Sequence, residues 1–404
     1  MTTEARDRIE QAVKLQKPDR VPVAPSVGIF AGGYSKVSQH NMLFDVEMSG
    51  FAVRKVSREL GPLDGFLMPN AGLGELLRTA FVSQPLLPGI DGVDEDAVWQ
   101  LEVRTVMSPE EYAALAEDPY VFIARKTIEN RPDLGGVSDY LKVRAHGYLA
   151  WVKAQRAMRS WRKLGLEPLI GSNIVPFPLE QILTSLRRYP DFVTDMYRHP
   201  DEIHTACAAM MRNVKRDSMA GPWLSGIRRV FIGLSGMSGP LLGRKQFEEL
   251  VLPQLEDLVH HLVTRGVTPV LHLQNDWTDL FGYLRALPRA SCVLSLDGTS
   301  NIFEARDMLG DRMCIHGDVP ASMLKLGEPE EVDEYCRRLV VELGSEGGFI
   351  LGSGGEMPID TKLENAKVMF NSARLYSNLS PRRARPVFAE LCDSGTYETR
   401  YGKR

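Results

Sequence analysis

The chain has 404 residues, of which 44% are hydrophobic and 25% charged, with a net charge of −4. Such a length holds a large core, or one barrel of ~250 residues with insertions, and the slight acidity gives no electrostatic footprint for nucleic acid. No apolar run approaches a membrane span and the N-terminus has no apolar signal core, so a cytoplasmic protein without nucleic-acid or membrane partners is expected.

The elements follow in chain order. Residues 3–16 read as a helix, with Ile9, Val13 and Leu15 among charges. Lys17–Arg20 breaks it, and Val21–Pro25 is an extended run shaped by its prolines. Ser26–Ser35 is rich in glycine but lacks a Gly-Lys-Ser/Thr ending, so it reads as a flexible loop and not as a phosphate cradle. A helix is expected over Asp45–Leu60, then a strand over Gly65–Asn70. Residues 80–165 break the rhythm. Val98–Val106 alternates like a solvated strand, Ser108-Pro109 starts a helix, and a last helix covers Tyr140–Gly165. The cluster Arg156, Arg159, Arg162 and Lys163 reads as a solvated helix face.

The strand–helix rhythm returns at Glu167–Pro176. Helices follow over Leu179–Arg188, Asp191–Arg198 and Pro200–Ala220, then a strand over Arg229–Ser235 and a helix over Arg244–Arg265. From Thr268 to Glu356, short apolar runs alternate with amphipathic helices. This is the pattern of parallel strands covered on both faces. Strands fall near residues 21, 66, 168, 229, 269, 292, 313 and 348, and Thr361–Ser377 is the final helix. The fold expected is α/β, a (β/α)8 TIM barrel in a single domain over 1–404, with a helical insertion at about 80–165 near the barrel mouth. Pro381–Arg404 reads as a polar, basic tail. The five cysteines, Cys207, Cys292, Cys314, Cys336 and Cys392, are scattered and odd in number, which argues against a disulfide framework.

Polar residues gather at the carboxyl ends of the apolar runs, where a parallel barrel builds its active site. His272 stands at such an end and reads as a metal ligand, a general base or a satisfied core histidine. Gln274, Asn275 and Asp276 follow it; Asp276 is the better helix cap. Asp297 ends an apolar strand, where a lone carboxylate is costly. His316 and Asp318 flank Gly317, and Glu356 follows Gly354-Gly355. Candidate catalytic residues are therefore His272, Asp297, His316 and Glu356; candidate substrate contacts are Asn173, Ser235, Gln274, Asn275, Trp277 and Asp318. His272, Asp297, His316 and Glu356 could also hold a divalent metal, against an equal reading as a hydrogen-bonded polar mouth. Trp277, Phe281 and Tyr283 either cover a pocket or pack helices.

Four stretches carry a resemblance. Lys17-Pro-Asp-Arg-Val-Pro-Val, Gly310-Asp-Arg-Met-Cys-Ile-His-Gly-Asp-Val, Gly348-Phe-Ile-Leu-Gly-Ser-Gly-Gly-Glu-Met-Pro and Glu364-Asn365-Ala366 resemble the uroporphyrinogen decarboxylase superfamily. That likeness implies a (β/α)8 barrel. True decarboxylases of the superfamily grip a polycarboxylate with an arginine-rich loop after the first strand, yet Ser26–Val53 contains no arginine, and the second strand ends in Met68-Pro69-Asn70 instead of an aspartate. The chain is more similar to the corrinoid-dependent methyltransferase branch. Many members there bind zinc through His-x-Cys at the fifth strand and a later Cys. Here the first position is His272, but the others are Gln274 and Gly355. Zinc is then a candidate only with oxygen and nitrogen ligands, His272 with Glu356. The resemblance implies a methyltransferase component that moves a methyl group from a small methylated substrate, such as a methyl ether, to a corrinoid (cobalamin) on a partner protein. The alternative is a decarboxylase-like lyase acting on a carboxylated tetrapyrrole. A homodimer is a candidate assembly.

Overall fold

A computed structural model describes residues 4–68, 70, 72–171 and 174–379. Among the described residues, seven strands form two parallel sheets. Strands β1 (Gly65–Phe66) and β2 (Glu167–Pro168) make the smaller one. Strands β3 (Arg229–Gly233), β4 (Thr268–Leu273), β5 (Val293–Leu296), β6 (Cys314–Pro320) and β7 (Phe349–Gly354) make the larger, in sequential order. Helices stand between consecutive strands, as parallel pairing requires.

The expected first strand, Val21–Pro25, forms isolated bridges in place of a ladder. Val23 pairs with Leu351 and Ser26 with Glu356, while the Val23 carbonyl accepts from the Asp64 and Gly65 amides. Pro22 and Pro25 have no N–H to donate, which keeps a regular ladder from forming. The segment therefore lies between β7 and β1. The expected strand Glu167–Pro176 is likewise cut to β2 plus a bridge from Ile174 to Phe231.

Alternation along the strands sorts their apolar residues into two clusters. Leu271, Leu273, Leu294, Leu296, Ile315 and Leu351 join the large cluster shared with the helices. Val270, Val293, Cys314 and Ile350 point the other way, into a small cluster with Ala24, Leu67, Leu169 and Ile170. Ile9, Ala12 and Val13, from the helix Ala5–Val13, join that small cluster. At that end Arg8 pairs with Asp19 at 2.6 Å, and Arg20 pairs with the buried Asp64 at 2.6 Å. The Lys17–Arg20 motif thus builds an ion-pair network.

Several expectations are corrected. Ser26–Ser35 is no flexible loop: Gly28–Ser35 is a helix with Gly28, Phe30, Ala31 and Gly32 buried. A β-carbon on Gly28 would overlap the Asn70 side chain, so glycine here serves close packing. Val98–Val106 forms no strand beyond a single antiparallel bridge between Gln100 and Leu86. The last helix of the insertion starts earlier than expected and runs over Val137–Lys163. In the basic cluster at its end, Arg162 is an ion-pair partner of buried Glu167 at 2.7 Å, not part of a solvated face. The helix Val46–Glu59 starts as read, with the Asp45 carboxylate accepting from the amides of Glu47 and Met48. Cys207, Cys292, Cys314 and Cys336 are buried free thiols. Cys392 and the tail lie outside the described residues. Among the described residues, no helix is long and apolar enough to cross a membrane.

Candidate functional site

One step past the small cluster, each strand presents its next residue of the same facing. After Val270 comes His272, after Val293 comes Ser295, and after Cys314 comes His316. His272 is in register with Ser295, and Ser295 with His316. The three side chains form one hydrogen-bonded row. His272 Nδ1 lies 3.2 Å from Ser295 Oγ, and Ser295 Oγ lies 2.9 Å from His316 Nδ1. His316 Nε2 lies 2.9 Å from the Ala24 carbonyl oxygen. Gly352 permits this arrangement, because a β-carbon there would overlap the His316 ring. The Phe231 ring lies beside His272, with centroids 5.3 Å apart.

Burial pushes both imidazoles down to about 4, opposed at His272 by the charge of Asp297 and at His316 by the Ala24 carbonyl. Near neutral pH both rings are uncharged.

Carboxylates follow the strand ends at Glu180, Asp297, Asp318 and Glu356. Asp297 accepts from the Asn275 amide at 2.9 Å and from the Thr299 amide at 3.0 Å, so it ties two loops together. The Asn275 side chain donates to the Ser235 carbonyl at 2.9 Å. Ser235 Oγ donates to Glu180, whose other oxygen accepts from the Gly236 amide at 3.0 Å. Asp318 is 1% exposed and accepts from the Tyr335 hydroxyl at 2.7 Å. Burial, with the nearby charge of Asp297, pushes its carboxyl up to about 6. Glu356 accepts from the Ser26 hydroxyl and, at 2.6 Å, from the Ile29 amide. It thereby caps the helix Gly28–Ser35, which has no side-chain cap on its own N-cap residue. Burial also raises Glu180 and Glu356 above the ordinary carboxylate range.

The structure thus brings His272, Ser295 and His316 into one row, and links Ser235, Asn275 and Asp297 in a second. Gln274 is exposed, and its carbonyl accepts from the Trp277 indole at 2.9 Å. Asp276 accepts from the Thr278 amide at 2.9 Å, but the N-cap of the turn Thr278–Leu280 is Trp277, so Asp276 stands one residue before the cap position expected for it. Trp277 is corrected. Its ring is fully buried, edge-on to Phe247 at 5.8 Å, and belongs to the helix-packing core, so no face is left for substrate. Phe281 is buried in the same cluster, and Tyr283 bonds Glu248. Asn173 lies outside the described residues.

The His272–Glu356 metal pair is not assembled. Glu356 commits both oxygens to the Ser26 hydroxyl and the Ile29 amide as a helix cap, so it is not paired with His272. Among the described residues, no group of three or more His, Cys, Asp or Glu side chains could hold a metal ion.

Ser295 and Glu180 escaped the sequence reading. Ser295 sits inside an apolar strand, where a serine draws no attention. Glu180 follows Pro178 at a helix start, where an acid reads as ordinary first-turn chemistry. The spacing of Ser295 two residues before Asp297 was the available signal.

The segments that follow the strands share one property. Residues 24–35, 68–72, 171–181, 234–243, 273–281, 297–303, 318–324 and 353–361 contain no lysine and no arginine. They contain Glu180, Asp276, Asp279, Asp297, Asp318, Glu356 and Asp360.

Residues 146–376 match the family described as uroporphyrinogen decarboxylase. The chain belongs to that family. Relatives bearing the same name are distant. One from Trichlorobacter lovleyi is 28% identical over 222 residues, covering 53% of this chain and 62% of the relative. Another, from Pseudoalteromonas translucida, is 26% identical over 144 residues, covering 34% of this chain and 39% of the relative. The chain therefore spans less than two thirds of the length of these curated relatives. Among solved structures, a methyltransferase from Methanosarcina mazei superposes with a TM-score of 0.64 at 14% identity, covering 93% of this chain and 99% of the other. This member of the uroporphyrinogen decarboxylase family thus shares its α/β architecture with a protein named for a different reaction.

Proposed function

We propose that this protein is a methyltransferase of a corrinoid-dependent O-demethylation system, built on a (β/α)8 barrel whose eighth stave is the bridged segment around Val23. It takes a methyl group from a small methylated substrate, such as a methyl ether, and passes it to the cobalt of a corrinoid on a partner protein. The observation that carries this reading is that the segments directly after the strands bear acidic residues and no lysine or arginine up to Lys36, Arg244, Lys325 and Lys362. A carboxylated tetrapyrrole needs paired guanidinium or ammonium groups. Along these segments it would meet carboxylates and neutral imidazoles, and like charge repels it. A neutral methyl ether meets no such penalty.

In the transfer, the methyl–oxygen bond breaks as the methyl carbon bonds to cobalt, and the oxygen leaves with the electron pair and takes a proton. A buried acid whose proton is retained toward neutral pH suits that role. Asp318, pushed up to about 6 by burial, fits that role; burial raises Glu180 and Glu356 in the same direction. The wide superposition on the Methanosarcina methyltransferase supports the same reading at the level of fold.

The names of the curated relatives favour a second reading, decarboxylation of a carboxylated tetrapyrrole. The test sets the two side by side. Purified protein is mixed with reduced cobalamin and a panel of methyl ethers, and the cobalamin absorption spectrum is followed. A parallel sample receives uroporphyrinogen, and released carbon dioxide is counted. Ether-dependent methylation of cobalamin is the expected result. Carbon dioxide release with no cobalamin methylation would overturn the proposal.

A further inference from the structure

The row His272–Ser295–His316 has a direction, and its anchor is the Ala24 carbonyl. A carbonyl oxygen only accepts, so His316 Nε2, 2.9 Å away, must donate to it. His316 is completely buried, and its two ring nitrogens face a carbonyl and a hydroxyl. With no carboxylate bonded to it, the ring stays neutral and carries one proton. Its Nδ1 is therefore a bare lone pair. Ser295 Oγ, 2.9 Å from that nitrogen, must give its only proton to it. The same oxygen can then only accept from His272 Nδ1, 3.2 Å away. His272, 7% exposed and likewise without a bonded carboxylate, is left with its proton on Nδ1.

What remains is His272 Nε2. No hydrogen-bond partner of this nitrogen lies among the described residues, and it is not one of the buried unpartnered atoms. It is the part of the ring open to solvent. We propose that Ser295 and His316 are positioning residues that lock His272 in the Nδ1–H tautomer and present Nε2 as a bare acceptor. The ligand atom that meets it carries a proton to donate, as a hydroxyl, an ammonium or an amide N–H does. A carboxylate oxygen would meet lone pair with lone pair. This holds for methyl transfer and for decarboxylation alike, because it follows from the protein's own hydrogen bonds.

The tautomers are read directly by two-bond proton–nitrogen correlation NMR on the full chain labelled with 15N-histidine. His272→Gln and His316→Gln identify the two ring systems by loss of signal. In the unsubstituted protein we expect His316 protonated on Nε2 and His272 protonated on Nδ1, with His272 Nε2 in the range of an unprotonated nitrogen. In Ser295→Ala, His272 loses its acceptor and shifts toward the Nε2–H form that a free neutral imidazole prefers. His316 keeps its Nε2 proton, because the Ala24 carbonyl is untouched. A merely structural serine would give no such asymmetric change. Finding His272 protonated on Nε2 in the unsubstituted protein would overturn the proposal. So would a His272 tautomer that is the same with and without the Ser295 hydroxyl. Should Ser295→Ala fail to fold, the tautomer in the unsubstituted protein decides by itself.

Discussion

Gly352 makes the space that His316 occupies. A β-carbon at that position would overlap the imidazole at Nε2, the atom that bonds the Ala24 carbonyl. Gly352→Ala is therefore expected to push the ring off its partner and to destabilise the fold by about 1–3 kcal/mol, the usual cost of overpacking. Urea unfolding measures this. Gly282 lies in the helix Phe281–Leu284, where an added β-carbon meets only a methionine methyl at ordinary contact distance. Gly282→Ala should be neutral or slightly stabilising, since alanine is the better helix former.

Acid stability should carry the signature of the buried histidines. His316 is held down to about 4, below the ordinary 6.5, so on acidification the unfolded chain takes up its proton first. The stability it contributes is present above the ordinary value and is lost as the pH falls from 6.5 toward 4. A shift of that size is worth on the order of 3 kcal/mol. Urea midpoints taken across this window should fall less steeply for His316→Gln than for the unsubstituted protein. Equal slopes would mean that the ring does not stay neutral.

Asp318 works in the opposite direction. Its carboxyl is raised to about 6 from an ordinary 3.8, so the folded state holds the proton more tightly than the unfolded one. The corresponding stability is fully present below 3.8 and is lost as the pH rises through 6. Asp318→Asn keeps an acceptor for the Tyr335 hydroxyl and removes the titration. Its stability relative to the unsubstituted protein should therefore improve between pH 4 and pH 7, by on the order of 3 kcal/mol. Paired denaturation curves at the two pH values check the sign.

Trp277 should matter for folding and not for substrate affinity. Its side chain is wholly buried against Phe247. Trp277→Ala is expected to cost about 3–5 kcal/mol, as other large-to-small core changes do. Thermal unfolding would show a lowered midpoint. A variant with unchanged stability and weakened ligand binding would return Trp277 to the site.

Glu356 and Ser26 should couple. The carboxylate holds the Ser26 hydroxyl and the Ile29 amide at the start of a helix. Glu356→Gln keeps one acceptor oxygen and loses the other, at a cost of about 1 kcal/mol. The double change with Ser26→Ala should cost less than the sum of the two single changes, because the residues share one bond. A double-mutant cycle by urea unfolding measures the difference.

The sequence by itself determined the α/β class, the parallel strands of β3 to β7 and the position of polar residues at their carboxyl ends. These follow from local patterns: short apolar runs, period-two alternation and helix caps such as Asp45. Family membership was legible in the same way, from the stretches around Gly310 and Gly348, which lie within the matched residues. Tertiary structure decided which polar groups meet. Ser295 became the link between two histidines because β4, β5 and β6 align in register, and register between strands is not written in any one strand. Glu356 became a cap for a helix that begins more than 300 residues earlier in the chain. The glycine-rich segment after Pro25 became a helix because Asn70 and Glu356 pack against it, against its own weak propensity. Trp277, placed beside the candidate site by its number, turned into the core because the helix behind it offered Phe247. Contacts between distant segments depend on how whole elements pack, and that information appears only when the chain is folded.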